Sequence, residues 1–188
     1  MAKSAESTFH NRAVLLDRDG VINLKLPENR YVADKTDFTL IPGVVEALSL
    51  LKDLGFLLVV ITNQRGIARG FMTEEDLARV HEFMRAELSA RGARIDGIYY
   101  CPHDEFEGCN CRKPEPGMVL AASRDLGIDR ARSFMVGDSP SDVAAGRRAG
   151  TRTVRISAEK DGEADYTFNS LLDFALFLRG ERDESYNS

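Results

Sequence analysis

Short apolar runs and amphipathic stretches alternate along the whole chain. Ala13 to Asp17 (AVLLD) is apolar up to its last residue, which predicts a strand covered on both faces. After a polar stretch, Pro42-Gly43 open VVEALSLLKDLG, an amphipathic helix closed by Gly55. Phe56 to Thr62 (FLLVVIT) predicts a second buried strand. Thr73 and Asp76 form a capping-box start for a helix that ends near Gly92. Asp96 to Tyr100 is a third strand, and a helix runs from Pro116-Gly117 to Gly127. Ser133 to Gly137 is a fourth strand, Ser141 to Ala149 a helix ended by Gly150, and Thr151 to Ile156 a fifth strand. Ala164 to Phe168 is a short sixth, and Asn169 is placed to cap a last helix, SLLDFALFLRG. A single domain over residues 1–180 and a loose tail over 181–188 are expected.

Alternating β and α elements predict an α/β, Rossmann-like fold: a doubly wound, mostly parallel sheet with helices on both faces. Between the elements no gap is long enough for a further folded module of about 60 residues, so no large cap domain is expected. Ligands of such sheets bind at the carboxyl ends of the strands, and functional residues should therefore follow strands directly.

Four groups do. Asp17-Arg18-Asp19-Gly20 follows the first strand, and two carboxylates so close are costly unless they share a cation or a proton. A plain Asp/Gly turn would also account for them. Thr62-Asn63-Gln64 follows the second strand with a hydroxyl, amides and backbone N–H groups suited to phosphate oxygens. Arg112-Lys113-Pro114 follows the third, and Gly137-Asp138-Ser139, with Asp142 beyond, follows the fourth. Asp138 is placed like a ligand of a hard cation, while Ser139 and Asp142 also suit a helix start.

Composition narrows the partners. The 188 residues carry 43% hydrophobic and 29% charged side chains and a formal net charge of -5, without a basic stripe to attract nucleic acid. The longest apolar run, Phe56 to Ile61, is far shorter than a bilayer span, so no membrane association is expected. The N-terminal MAKSAESTFHNRAVLLD has no apolar secretion core, and the cytoplasm is the expected compartment. Its three cysteines cannot all pair, which fits a reducing environment. All three lie in YYCPHDEFEGCNCRKP, residues 99–114, with a histidine. Cys101, His103, Cys109 and Cys111 make a Cys₃His set, and residues two apart in extended chain face the same way, so a structural Zn²⁺ site is expected in this loop. His10 and His81 receive no role.

The ordered set DRDG…TN…K…GDSPSD resembles the haloacid dehalogenase superfamily over nearly the whole chain. The resemblance implies Asp17 as a nucleophile that forms an aspartyl-phosphate and Asp19 as the general acid and base. It implies Mg²⁺ between Asp17, the Asp19 main-chain carbonyl and Asp138, with Thr62 and Lys113 against the transferring phosphoryl group. A carboxylate at Asp19 points to a phosphatase or phosphotransferase, since a departing halide needs no proton. The segment CPH…C-x-CRKP, together with ITNQRGIARGFMT and CRKPEPGM, resembles heptose 1,7-bisphosphate 7-phosphatases, with histidinol-phosphate phosphatases as the alternative. A sugar bisphosphate carries a second anion for which Arg112 is the best candidate, followed by Arg65 and Lys25. Glu105 and Glu107 suit the cationic histidinol phosphate instead. Arg18, Asn63, Gln64, Arg65, Arg112 and Ser139 complete the expected substrate contacts, the substrate is a small sugar phosphate, and a monomer is expected.

Overall fold

The computed structural model describes residues 9–159 and 162–186. Six strands form one sheet: β1 (Ala13–Leu16), β2 (Leu57–Asn63), β3 (Gly97–Cys101), β4 (Phe134–Gly137), β5 (Arg152–Ile156) and β6 (Tyr166–Phe168). Their order is β3-β2-β1-β4-β5-β6, and every neighbouring pair is parallel. Five helices connect or cover them: α1 (Val44–Asp53), α2 (Glu74–Ala90), α3 (Gly117–Leu126), α4 (Pro140–Ala149) and α5 (Leu171–Tyr186). The doubly wound fold is as the alternation predicts, with each main element except the end of α5 within two or three residues of its expected place. Two one-turn 3₁₀ segments, Lys35–Asp37 and Arg130–Arg132, are too short to leave a periodic signal.

The central strand shows why the pattern is so legible. All four residues of β1 are fully buried, and alternate side chains enter opposite layers. Val14 and Leu16 pack with α1, α2 and α5 through residues such as Leu48, Met84 and Phe174. Ala13 and Leu15 pack with α3 through Met118, Val119 and Ala122. Burying each such leucine stabilises the fold by about 2 kcal/mol. The chain order reverses at β1, so the crevice between β1 and β4 is the switch point where such sheets bind ligands.

Two helix ends differ from expectation. Ser170, not Asn169, caps α5: its Oγ accepts from the Asp173 N–H at 3.1 Å and donates to the Asp173 carboxylate at 2.9 Å. The helix also continues through residues 181–186, where a loose tail is expected. Gly180 does not break it, because the following turn is held from outside: Arg182 donates to the Asp53 carbonyl at the end of α1, at 3.2 Å. Residues 187–188 of the expected tail, like residues 1–8, lie outside the described residues. Among the described residues no folded module is inserted between the motifs, and no helix is long and apolar enough to cross a membrane.

Candidate active site

At the carboxyl end of β1, the backbone N–H of Asp17 still belongs to the sheet, donating to Val136 O at 2.9 Å. Its side chain leaves the sheet and meets Lys113 Nζ at 2.8 Å. The same ammonium lies 2.7 Å from Asp142 Oδ1 and donates to Ile61 O at 2.8 Å. Lys113 is only 4% exposed. Burial disfavours its charge, yet the two carboxylates more than offset that and raise its pKa above the ordinary lysine value. Asn63 holds Lys113 in place through a reciprocal pair of 3.0 Å bonds, from Lys113 N–H to Asn63 Oδ1 and from Asn63 Nδ2 to Lys113 O.

Asp17 is subject to opposite pressures. Burial pushes its carboxyl up, Lys113 pulls it down, and Asp142 and Asp19 push it up again, for a result of about 7. Asp138, after β4, adds a third acid: donor atoms of Asp17, Asp138 and Asp142 lie within 4.8 Å of one another. Asp138 Oδ2 pairs with Lys25 Nζ at 2.7 Å, while its buried Oδ1 has no hydrogen-bond partner. An orphaned carboxylate oxygen beside two further acids is a donor set suited to a hard divalent cation. Gly20 permits this approach. It has φ +93°, and a Cβ there would stand 2.4 Å from Asp138 Oδ2.

Asp19 is held apart from Asp17. Its carboxylate takes bonds from Arg18 Nη2 at 2.9 and 3.1 Å, from Asn23 Nδ2 at 2.9 Å and from Gln64 Nε2 at 3.1 Å. Burial pushes its pKa up, but the Arg18 charge and these bonds outweigh it and hold the carboxyl below its ordinary value.

Of the expected substrate contacts, Arg18, Asn63, Gln64, Arg65, Arg112 and Ser139 all line the cavity, and several of them also have partners within the chain. The Arg18 side chain is 1% exposed and turned onto Asp19 and His81, although Arg18 is also among the residues lining the cavity. Asn63 and Gln64 line the cavity, but their amides are engaged with Lys113, Asp19 and Thr62. Thr62 is buried, its hydroxyl accepts from Gln64 Nε2 at 2.9 Å, and it is not among the residues lining the cavity. Ser139 lines the cavity and also shares a capping box with Asp142 at the start of α4. Arg65 and Arg112 line the same space of about 550 Å³.

His81, which receives no role from the sequence, touches the residue between the two aspartates. It is buried on α2, with Nε2 3.4 Å from Arg18 Nη1. Burial and the Arg18 charge lower its pKa to about 3, so the ring is neutral and free to accept from Arg18. A signal existed: His81 falls on the apolar stripe Leu77, Val80, Met84, Leu88 of α2.

Three loops surround the cavity and clasp one another. Tyr31 stacks on Phe71 at 5.2 Å between ring centres. Arg69 binds Asp104 at 2.7 and 3.2 Å, and Arg65 Nη1 binds Glu105 Oε1 at 2.5 Å. The third loop contains Cys101, His103, Cys109 and Cys111, whose donor atoms all lie within 4.8 Å of one another. Sulfur–sulfur separations of 3.1 and 3.6 Å and His103 Nδ1–sulfur separations of 3.3 and 3.5 Å bring four soft donors together, and no disulfide forms. That donor chemistry fits zinc. Arg112 and Lys113 follow its last member directly.

A parallel sheet whose switch point gathers two aspartates that follow β1, a buried lysine and an aspartate that follows β4 is the framework of a phosphatase-type hydrolase. The chain belongs to the haloacid dehalogenase-like hydrolase family, whose model matches residues 2–150. Among its relatives are proteins named D-glycero-beta-D-manno-heptose-1,7-bisphosphate 7-phosphatase. The one from Pasteurella multocida (strain Pm70) is 42% identical over 182 residues, 90% of this chain and 97% of that one. The one from Escherichia coli (strain K12) is 45% identical over 196 residues, 97% of this chain and 98% of that one. The crystal structure of D,D-heptose 1,7-bisphosphate phosphatase from B. bronchiseptica, complexed with magnesium and phosphate, superimposes with a TM-score of 0.82 at 30% identity, covering 90% of this chain and 99% of that one.

Proposed function

We propose that this chain is a Mg²⁺-dependent phosphatase that removes the 7-phosphate of D-glycero-β-D-manno-heptose 1,7-bisphosphate, supplying heptose for surface polysaccharide. The observation that carries this reading is its likeness to heptose bisphosphate phosphatases over 90% or more of both chains. Asp17, the Asp19 main-chain carbonyl and Asp138 would hold Mg²⁺, which supplies charge neutralisation for the transferring phosphoryl group and for the buried Asp17.

The Asp17 carboxylate attacks phosphorus, and the bond from phosphorus to the C7 oxygen breaks. Asp19 gives its proton to the departing alkoxide and then takes one from the water that cleaves the aspartyl-phosphate. Inorganic phosphate leaves and Asp17 is restored. The donors around Asp19 suit its ionised, base form. An incoming phosphate anion raises its proton affinity and so favours the acid form. Lys113, fixed between Asp17 and Asp142, faces the phosphoryl oxygens and offsets their charge. Thr62 orders Gln64 by accepting from its Nε2, and it follows Ile61, whose carbonyl accepts from Lys113. Arg65 and Arg112 take the 1-phosphate, for which guanidinium forks are suited. Zinc on Cys101, His103, Cys109 and Cys111 would brace the loop that presents Arg112 and Lys113.

Glu105 weighs against the histidinol phosphate alternative, because an ammonium there would have to compete with two guanidiniums for its carboxylate. The chain is taken to act as a single-domain monomer in the cytoplasm, where sugar phosphates are made. The deciding experiment compares kcat/KM for the β and α heptose 1,7-bisphosphates, fructose 1,6-bisphosphate and histidinol phosphate, all with Mg²⁺. The β heptose should lead, and Asp17→Asn should abolish turnover while melting as a folded protein. Preference for histidinol phosphate would overturn the reading.

A further inference from the structure

The two cations placed for the second phosphate are not idle in the folded chain. Glu105 Oε1 lies 2.5 Å from Arg65 Nη1 and 3.4 Å from Arg112 Nη2, so one carboxylate oxygen bridges guanidiniums from two different loops. Arg65 follows β2, whereas Arg112 belongs to the cysteine loop, where its Nη1 also donates to His103 O at 3.2 Å. All three side chains line the catalytic cavity. Without an anion between them, two guanidiniums drawn to one point repel.

The rest of the loop is firmly held. Asp104, next to Glu105, forms a two-bond pair with Arg69, and His103 and Cys109 bracket the segment within the four-donor cluster. Glu105 itself keeps 48% of its side chain exposed. A fixed backbone carrying a half-exposed carboxylate allows the side chain to swing away without the loop unfolding. The carboxylate offers the same charge sign and the same acceptor geometry as a phosphate edge, so the two compete for the same donors.

We propose that Glu105 is a specificity-determining internal anion: it occupies the Arg65–Arg112 pair until the second phosphate of the substrate displaces it. This inference rests on the bisphosphate reading above. A monophosphate ester has no group to replace Glu105 and leaves the pair closed. A bisphosphate exchanges one anion for another of higher charge. Glu105 therefore lowers the absolute affinity for every second anion, and a weak one, such as a hydroxyl or a single carboxylate, gains too little to dislodge it. Glu105 thus sets how far a second phosphate gains over none, narrowing the preference for a bisphosphate over a monophosphate ester.

The test uses the full-length enzyme with Mg²⁺ and two substrates, β-heptose 1,7-bisphosphate and p-nitrophenyl phosphate. In Glu105→Gln the ratio of kcat/KM for the bisphosphate to that for the monophosphate ester should rise about fivefold, the size expected for removing one exposed charge pair. The rise should come from a lower KM for the bisphosphate, not from kcat. Glu105→Asp, one methylene shorter with its charge kept, should fall between the two. An unchanged or falling ratio, or a common loss of kcat on both substrates, overturns the role of Glu105. Wild-type enzyme that turns over p-nitrophenyl phosphate but not the heptose bisphosphate would instead overturn the substrate reading, and the proposal with it.

Discussion

Replacing His81 by glutamine should remove an acid sensitivity from the fold. The glutamine keeps an acceptor for Arg18 but cannot take a proton. In the wild type the His81 pKa falls from 6.5 to about 3, first through burial and then through the Arg18 charge, with Arg85 adding to the effect and Asp19 opposing it. A depressed histidine is neutral in the folded chain and protonated in the unfolded one between those two values. The unfolded state then binds more protons, so stability falls as pH drops below about 6.5 and levels off near pH 3. At pH 5 the gap from the unfolded pKa is about one and a half units, or about 2 kcal/mol. Because His81 is only 8% exposed, solvent screening takes little from this. Urea unfolding followed by circular dichroism at fixed ionic strength, at pH 7.5 and 5.0, measures it. The wild type should lose about 2 kcal/mol more than His81→Gln over that interval, or about 4–8 °C in Tm. The carboxylates and other histidines are common to both proteins and cancel in the difference. Parallel stability curves would show that His81 titrates normally, and the contact that orients Arg18 toward Asp19 would have to be redrawn.

Lys113→Met leaves Asp17 and Asp142 facing each other without their shared cation. It should lose about 3–5 kcal/mol of stability and all phosphatase activity, and a melting shift under about 3 °C would refute the buried-pair account. For the cysteine loop, protein purified without chelator should contain one zinc per chain by elemental analysis, because the Cys101, His103, Cys109 and Cys111 donors converge. Cys109→Ser should lower that content and speed amide hydrogen exchange across residues 101–113, since metal binding and loop folding are coupled. Full zinc retention in the variant would remove Cys109 from the site.

What the sequence disclosed and what it hid follow one physical division. Strands buried on both faces must be apolar at every position, so β1, β2 and β4 are visible as runs, and the residues after them are marked as site residues by topology alone. Asp17, Lys113 and Asp138 converge as that rule requires, and the cysteine cluster does too, because its donors are close in sequence. Side-chain direction is different: it depends on partners far along the chain. Arg18 stands beside Asp17 in sequence, yet its guanidinium turns inward to His81, 63 residues away. Asn63 and Gln64 line the cavity as expected, but nothing in the sequence tells that Lys113 and Asp19 engage their amides. The α5 extension escapes notice because Gly180 and the charged residues after it resemble a frayed end, while the hydrogen bond that holds them crosses to α1.

That division also explains why the opposite-charge contacts around the cavity matter. Lys25 rests on Asp138, whose free oxygen is placed for a cation, and Glu105 rests on Arg65 and Arg112, placed for an anion. Each partner is at least 48% exposed, whereas the groups they touch are 25% exposed or less. The less exposed members are the more constrained, and the more exposed members have room to move. A site built in this way keeps its charges compensated at every stage, since each ligand of the reaction replaces a side chain of its own sign instead of charging an empty cleft. Lys25 and Glu105 sit in loops with no regular secondary structure, and they are placed by the clasp of Tyr31 on Phe71 and of Arg69 on Asp104. Loop length and sequence outside the four motifs should therefore set which phosphate ester is accepted, while the motifs themselves set that a phosphate ester is cleaved.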